Sequence, residues 1–413
     1  MSSEPTPANS TGLNRRAFLG TAAAMATSAV SYGRIVGAND RIRLGAIGTG
    51  QRCQYLLSLF NRAGGSDLVA VCDVYEPHRQ EAMAKFGPNA REYGDHREVL
   101  ANPDVDAVVI GTPDHWHVPI LTAAVAAGKD AYCEKPVTHT VEQGQGIISA
   151  VHNSKRVVQI GTQQRSWPHF VQAKALVDEG RLGQITLVRT YWYQNYQLAQ
   201  DRLRAAIDTA KLDWKQFLGS APYRPFDQDQ YEFWRWYWDF GGGAMTDLFV
   251  HWVDVAQWFL NKDMPERATA TGMKATFKQR DCPDTMGASY AYPGFIVDWD
   301  CAMIGNVEDG GLMFRGTKAA LWLHRSGFKL FDEMNRPFSE TLRSEDALML
   351  ERSTHDGTFD HVQNFLDCVR SRKTPNAPIE VGVAGARAGH VGNLALRGDG
   401  LWTIRDRETS RTA

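Results

Sequence analysis

Three polar side chains late in the sequence have a spacing that can do chemistry. Asp247, His251 and Asp254 fall at i, i+4 and i+7, just after the run Trp238-Asp239-Phe240-Gly241-Gly242-Gly243. On an α-helix they would share one face, with Leu248, Val255 and Phe259 on the opposite, apolar one. A histidine there can accept a proton near neutral pH, the task of a base when a secondary alcohol is oxidised. Asp247, one turn earlier, could orient the ring or bind a second hydroxyl. Asp and His at this spacing can also ligate a cation, but no third or fourth ligand accompanies them, so no metal is expected. The remaining alternative is a polar helix face with a solvated histidine.

Such an oxidation needs a hydride acceptor, and the other end of the chain offers a seat for one. The run Ile42-Arg43-Leu44-Gly45-Ala46-Ile47 reads as a buried strand leading into Gly48-Thr49-Gly50-Gln51-Arg52-Cys53 and an apolar helix from Tyr55. This is a G-x-G-x-x-G arrangement with Cys53 in the third place, where only a small side chain is required. Gly48 permits the tight turn, Gly50 lets the backbone approach a pyrophosphate, and the helix start at Gln51 offers free N–H groups. A second strand over 68–72 ends at Asp73, where a carboxylate accepts both ribose hydroxyls and repels a 2′-phosphate. The expected cofactor is therefore NAD rather than NADP; the alternative for Asp73 is a strand-end turn residue.

The elements that must position these groups follow from the pattern. Strand 107–110 ends in Gly111-Thr112-Pro113, a helix runs over 118–127, and strand 130–133 leads into Glu134-Lys135-Pro136. A helix from about Val141 and a strand at 157–160 follow. Alternating strand and helix imply a parallel, doubly wound sheet. Its ligands lie beyond the carboxyl ends of the strands, where Gly48, Asp73, Thr112, Glu134 and Lys135 are. From about Gln163 strands are expected at 185–193, 268–276, 287–292, 295–303 and 319–323 without regular helices between them, a mostly antiparallel sheet. The fold class is α/β: an N-terminal Rossmann parallel sheet plus a C-terminal α+β domain with a large, mostly antiparallel open sheet. The expected division is a leader over 1–38, a Rossmann domain over 39–162, a substrate-binding domain over 163–400 and a polar tail over 401–413.

The leader rests on Asn14-Arg15-Arg16-Ala17-Phe18-Leu19-Gly20, an arginine pair before an Ala-rich apolar stretch too short to span a bilayer. With the small residues Val36-Gly37-Ala38 behind it, this is the form of a removable twin-arginine signal, so a periplasmic or otherwise exported protein is expected, with no stable membrane insertion. The alternative is a disordered Ala-rich tail. Over 413 residues the net charge is −2, which gives no electrostatic case for nucleic acid. None of the six cysteines forms a CxxC pair, against a zinc or thioredoxin-like site, and Cys72 and Cys133 lie in apolar runs as free buried thiols would.

Gly48 and Gly50, Asp73, Thr112-Pro113 with His117 shortly after, Glu134-Lys135-Pro136 and Asp247-x-x-x-His251 agree in order and spacing with one family. Over about residues 40–400 the chain resembles the glucose–fructose oxidoreductase and inositol dehydrogenase (Gfo/Idh/MocA) family, in particular its bacterial branch with twin-arginine signals. The resemblance implies that Lys135 reaches both nicotinamide and substrate hydroxyl, with its charge beside the developing alkoxide. It implies a shaped, cis-compatible turn at 134–136 and His117 near the nicotinamide, and it makes His251, Asp247 and Lys135 the catalytic set. Thr112, Pro113 and Glu134 are expected to line the cofactor cleft. Gln163, Gln164 and Arg165 are expected to face substrate, and Trp238 and its aromatic neighbours could stack on a sugar or pack a core. His115 caps a helix or meets solvent, and a late helix holding His390 and Asn393 could return to the first domain.

The function expected is an NAD-dependent oxidoreductase acting on a sugar, glycoside or cyclitol hydroxyl, a homo-dimer or homo-tetramer through the second sheet. The alternative is an NAD-dependent glycoside-cleaving enzyme that oxidises, eliminates and re-reduces; a non-catalytic binding protein fits Lys135, Asp247 and His251 poorly. Outside the cytoplasm there is no soluble NAD pool, so tightly held cofactor is expected, with residues 194–226 as a lid.

Overall fold

The computed structural model describes residues 41–196, 205–334 and 342–404. The expected leader, most of the expected tail and part of the expected lid therefore lie outside the described residues. The described residues from 43 onward cluster as one unit, and two sheets organise it.

The first sheet contains β1 (Ile42–Ile47), β2 (Ser66–Cys72), β3 (Arg91–Tyr93), β4 (Ala107–Ile110), β5 (Asp130–Cys133) and β6 (Val158–Ile160), in the order β3-β2-β1-β4-β5-β6. Its registered pairs are parallel. Strands covered by helices on both faces read as continuous apolar runs, and all four residues of β4 and of β5 are buried. The order reverses at β1, which opens a crevice beyond the carboxyl ends of β1 and β4. The Rossmann expectation holds, with β3 as a short strand that was not foreseen.

The second sheet has nine strands: β7 (Ile185–Tyr193), β8 (Arg267–Met273), β9 (Thr285–Tyr292), β10 (Phe295–Ala302), β11 (Gly310–Gly316), β12 (Ala319–His324), β13 (Gly327–Asp332), β14 (Met349–Arg352) and β15 (Leu401–Thr403). The order is β14-β13-β12-β11-β7-β10-β9-β8-β15. Only β7 and β10 pair in parallel; the other registered pairs are antiparallel. Along β9 every second residue is buried, the alternation of a sheet with one face on a core. That core takes up several tryptophans: Trp252 and Trp299 are fully buried, and Phe249 packs on Tyr290 and Trp299 at 4.8 and 5.2 Å between ring centroids.

The expected boundaries are corrected in two places. The tail begins later than 401, because β15 pairs with β8. The 163–400 segment is also not a self-contained domain. The helix Thr358–Ser371 packs Phe365 against Phe60 of the helix Gln51–Ala63, at 6.1 Å between ring centroids, and Gln159 Nε2 donates to the His361 carbonyl at 2.7 Å. The helix Ile379–Arg397 contributes Ile379 and Val383 to the first core and Val391 and Ala395 to the second. Its glycines let it lie this close: a Cβ on Gly382 would stand 2.6 Å from Ile160, and one on Gly389 2.7 Å from the Met245 carbonyl. The return of this helix to the first domain is thus observed.

Candidate active site

The glycine turn is built as a dinucleotide seat. Gly48 has φ +77°, and a Cβ there would stand 2.7 Å from the backbone of Thr112, so both conformation and space require glycine. Gly50 is the N-cap of the helix Gln51–Ala63, whose first turn has no acidic residue. A Cβ on Gly50 would meet nothing within 4 Å, and Gly50 and Gln51 line a cleft, so the helix start is open, and phosphate is favoured at such a terminus. Cys53 is fully buried, and a Cβ on Gly111 would lie 2.8 Å from its Cβ. The third motif position is thus a tight packing contact, and all six cysteines are buried free thiols.

A cleft of about 1110 Å³ opens from this turn. From the first domain, Gly48, Gly50, Gln51, Asp73, Thr112 and Pro113 line it; from the second, Tyr196, Trp234, Arg235, Trp236 and Asp247 do. The described part of the expected lid also contributes Ile207, Gln216 and Phe217 to its wall. That segment is anchored to the Rossmann side: Asp213 N donates to the Val74 carbonyl at 2.9 Å, and His115 Nε2 and Trp116 Nε1 meet the Phe217 carbonyl at 2.9 and 3.0 Å. His115 is therefore an interdomain strut, not a solvent residue.

Asp73 ends β2 with its carboxylate fixed by two backbone donors, Thr49 N at 2.7 Å and Tyr75 N at 2.9 Å. A carboxylate has about four acceptor sites, so two remain for a pair of vicinal hydroxyls. His78, which the sequence reading missed, stands 3.6 Å away; burial opposes its protonation, but Asp73 outweighs burial and raises its pKa. Asp73→Ala is expected to weaken NAD binding by about ten- to a hundred-fold, the value of hydrogen bonds to a charged group, and to narrow the preference over NADP. Titration of both dinucleotides checks this; a parent protein that binds NADP as well as NAD would refute the role.

Asp247 lines the cleft, whereas Lys135 and His251 are not among its lining residues; Lys135 Nζ donates to the Asp247 carboxylate and to the Asp247 carbonyl, both at 2.7 Å. Arg235 Nε also reaches the carboxylate, at 3.2 Å. Burial pushes the Asp247 pKa up, but Lys135 and Arg235 outweigh it and hold Asp247 down at about 2. The ammonium has three donors, of which two are used. The Lys135–Pro136 bond is cis. The expected continuous helix face is corrected: Met245–Phe249 is a π-turn leading into the helix Val250–Leu260, a form common at functional sites. Asp247 pairs with Lys135 and Arg235 rather than orienting His251, and Asp254 is fully buried against Arg165 at 2.9 Å.

His251 is buried, and its Nδ1 has no hydrogen-bond partner among the described residues. Burial first, then the charges of Lys135, Arg325 and Arg52, press its pKa well below the usual imidazole value. It is a neutral base with cations around it. Asp114, also missed in the sequence, is a buried carboxyl driven the other way. Burial and then Asp247 raise its pKa well above the carboxylate range, against Lys135 and Arg235.

Four expected site residues do other work. Arg165 does not face substrate; it forms the buried pair with Asp254 and lies 5.3 Å over the Trp258 ring. Removing one partner of such a pair typically costs about 3–5 kcal/mol. Trp238 is not a cleft wall; Arg397 covers its ring at 4.8 Å, and its carbonyl accepts from His139. Glu134 is not among the lining residues and reaches the cleft through its partner, holding Arg52 Nε at 2.7 Å, a pairing the sequence did not announce. His117 is buried and ties two turns together, Nδ1 to the Pro136 carbonyl at 2.7 Å and Nε2 to the Thr112 carbonyl at 2.9 Å. A neutral ring can donate to only one of them, and burial keeps its pKa low. Gln163 is buried with its Oε1 unpartnered. Among the described residues no cluster could hold a metal ion, and no helix is long and apolar enough to cross a membrane.

Known proteins share this architecture. The Gfo/Idh/MocA oxidoreductase-family model for the NAD-binding Rossmann fold matches residues 42–162, and the model for the GFO/IDH/MocA C-terminal domain matches 220–322. The chain belongs to the Gfo/Idh/MocA oxidoreductase family, and its Rossmann domain is NAD-binding. It is 34% identical over 168 residues to the inositol 2-dehydrogenase of Salmonella typhimurium strain LT2, covering 40% of this chain and 50% of that protein. The chain thus spans about half the length of the curated relatives it matches. By structure it is similar to levoglucosan dehydrogenase in complex with NADH and levoglucosan (TM-score 0.68, 18% identity, 88% of this chain and 99% of that one). It is also similar to scyllo-inositol dehydrogenase from Lactobacillus casei (TM-score 0.66, 18% identity, 89% and 99%).

Proposed function

We propose that this protein is an NAD-dependent oxidoreductase acting on a secondary hydroxyl of a sugar or cyclitol. The observation that carries the reading is the pairing of Lys135 with Asp247 at 2.7 Å, where Asp247 lines the same cleft as the Gly48–Asp73 dinucleotide seat. The residues fit the cofactor: a turn whose Gly48 only glycine can occupy, an open helix N-terminus, and a carboxylate with spare acceptor sites. When bound, NAD⁺ supplies the hydride acceptor. Lys135 donates its remaining N–H to the substrate hydroxyl and stabilises negative charge on that oxygen. His251, held neutral, takes the proton. Asp247 fixes Lys135. Gln51, Thr112 and Pro113 line the dinucleotide side, with Glu134 acting through Arg52 and His117 bracing the 112 and 136 turns. The dehydrogenase relatives favour an oxidoreductase over the glycoside-cleaving cycle, and with retained cofactor the hydride taken from one hydroxyl must be returned to the carbonyl of a second sugar before the next turnover.

Twin-arginine export, a periplasmic location, and a homo-dimer or homo-tetramer through the nine-stranded sheet belong to the same proposal. Export from the cytoplasmic NAD pool calls for cofactor loaded beforehand and held tightly, and the wall formed by Ile207, Gln216 and Phe217 supports a closed seat. Retention at nanomolar affinity corresponds to about 12 kcal/mol. The test is to purify the full chain without added cofactor, denature it and assay the supernatant for dinucleotide, then to offer sugars, cyclitols and aryl glycosides while following cofactor absorbance and released aglycone. Retained NAD reduced by a polyol is the expected result. An empty protein with weak NAD affinity would overturn the closed seat, and aglycone release without net reduction would restore the glycosidase reading.

A further inference from the structure

The cations around His251 are matched by anions, with one exception. Lys135 and Arg235 share Asp247, Arg52 has Glu134, and Arg165 has Asp254. Arg325, in the turn between β12 and β13, has no carboxylate within ion-pair distance among the described residues, and its buried Nε has no hydrogen-bond partner. Asp356 and Asp309 lie within electrostatic range but are engaged elsewhere. Asp356 accepts from Thr358 and Tyr55, and Asp309 from Gln194 at 2.6 Å and His324 at 3.2 Å.

Arg325 is half-buried with its Nε shut off from solvent; an arginine stays charged in a protein, and taking part of that charge out of water without a counterion is costly. Two indole rings hold the guanidinium in place, Trp192 at 5.1 Å and Trp252 at 5.6 Å from their centroids. Trp192 also stacks on His251, at 6.2 Å and 20° between planes. The unmatched cation and the base therefore share one indole ring, and Arg325 stands within electrostatic range of Arg52 and Tyr196, both of which line the cleft. Arg52 adds positive charge to the same region and, after burial, depresses the Arg325 pKa.

We propose that Arg325 is the receptor for a carboxylate on the substrate, so that the preferred substrate is a sugar acid, a uronate or an aldonate, rather than a neutral sugar or cyclitol. The inference rests on the reading of His251 and Lys135 as the reacting end of the same site. A planar guanidinium supported on aromatic faces suits two-pronged capture of a carboxylate. The hydroxyl facing Lys135 and the carboxylate facing Arg325 would then fix the ring from both ends.

The experiment uses the full NAD-loaded chain and measures binding by tryptophan fluorescence and calorimetry, with NAD reduction as a separate readout. The probes are D-glucuronate, D-galacturonate and D-gluconate against D-glucose, D-galactose and myo-inositol. The acids are expected to bind about ten- to a hundred-fold more tightly than their neutral counterparts, the range for charge-assisted hydrogen bonds. Arg325→Gln should abolish that preference with NAD affinity unchanged, and Arg325→Lys should keep part of it. Equal binding of acids and neutral sugars overturns the inference, and so does an Arg325→Gln protein that loses NAD affinity instead, which would assign the guanidinium to the cofactor. If neither variant folds, the probe series on the unaltered protein decides alone. Acids that bind through Arg325 without reducing NAD would sink the oxidoreductase reading and leave this inference standing; neutral polyols that reduce NAD as well as the acids would do the reverse.

Discussion

His251→Ala is expected to lower kcat by about 10²- to 10⁴-fold, the usual contribution of a positioned general base, while NAD affinity stays close to that of the parent. The separation follows from geometry. The dinucleotide seat is Gly48, Gly50 and Asp73, whereas His251 sits on the helix Val250–Leu260 of the second domain. The pH profile gives a second readout. A base works unprotonated. Burial, then Lys135, Arg325 and Arg52, lower the His251 pKa, so activity should persist as pH falls through about 6.5, the ordinary imidazole value, and decline only further into acid. The stability linkage has the same sign. A depressed folded-state pKa contributes stability that is present above the unfolded value and is lost as pH falls toward the folded one. Steady-state kinetics across pH check both parts; near-normal turnover in the alanine variant, or an acid limb above about 6.5, would remove His251 from the chemistry.

What the sequence reveals about this site depends on distance along the chain. The glycine turn, Asp73 and the strand–helix alternation are local, and each was legible because a short segment must itself adopt the required backbone. The partnership of Lys135 with Asp247 spans 112 residues, and no spacing rule reaches that far; only the family resemblance placed them together. Arg165 shows the reverse error. It sits just past the last Rossmann strand, where ligands are expected, yet its partner Asp254 lies 89 residues away. That pairing turns a candidate substrate contact into a buried structural one. The i, i+4, i+7 face failed because the π-turn at Met245–Phe249 rotates Asp247 out of α-helical phase, and no residue type there advertises it. Arg325 and Asp114 carry no motif at all. Their interest comes from what surrounds them, an absent counterion in one case and a neighbouring carboxylate in the other.

Lys135→Met is expected to reduce kcat/KM by about 10²- to 10³-fold, the cost of losing one preorganised donor aimed at developing charge. The consequences spread because Lys135 holds several titrations in place. Asp247 would keep Arg235 alone against burial, so its carboxyl should rise from about 2. Asp114 would lose a cation that opposes its raised pKa, and should hold its proton to still higher pH. His251 would lose the largest of the charges depressing it, so its pKa should rise and the acid limb of the rate profile should move to higher pH. The direction discriminates between roles. If Lys135 were only a structural clamp on Asp247, its loss would lower stability and amplitude without moving the limb. Lys135→Arg should preserve the charge, and with it the limb, yet recover little rate, because a planar fork cannot place one N–H where the compact ammonium does. Kinetics of the three proteins across pH make the comparison. A methionine variant within a few-fold of the parent, or an acid limb that shifts downward, would show that the hydroxyl is activated elsewhere in the cleft.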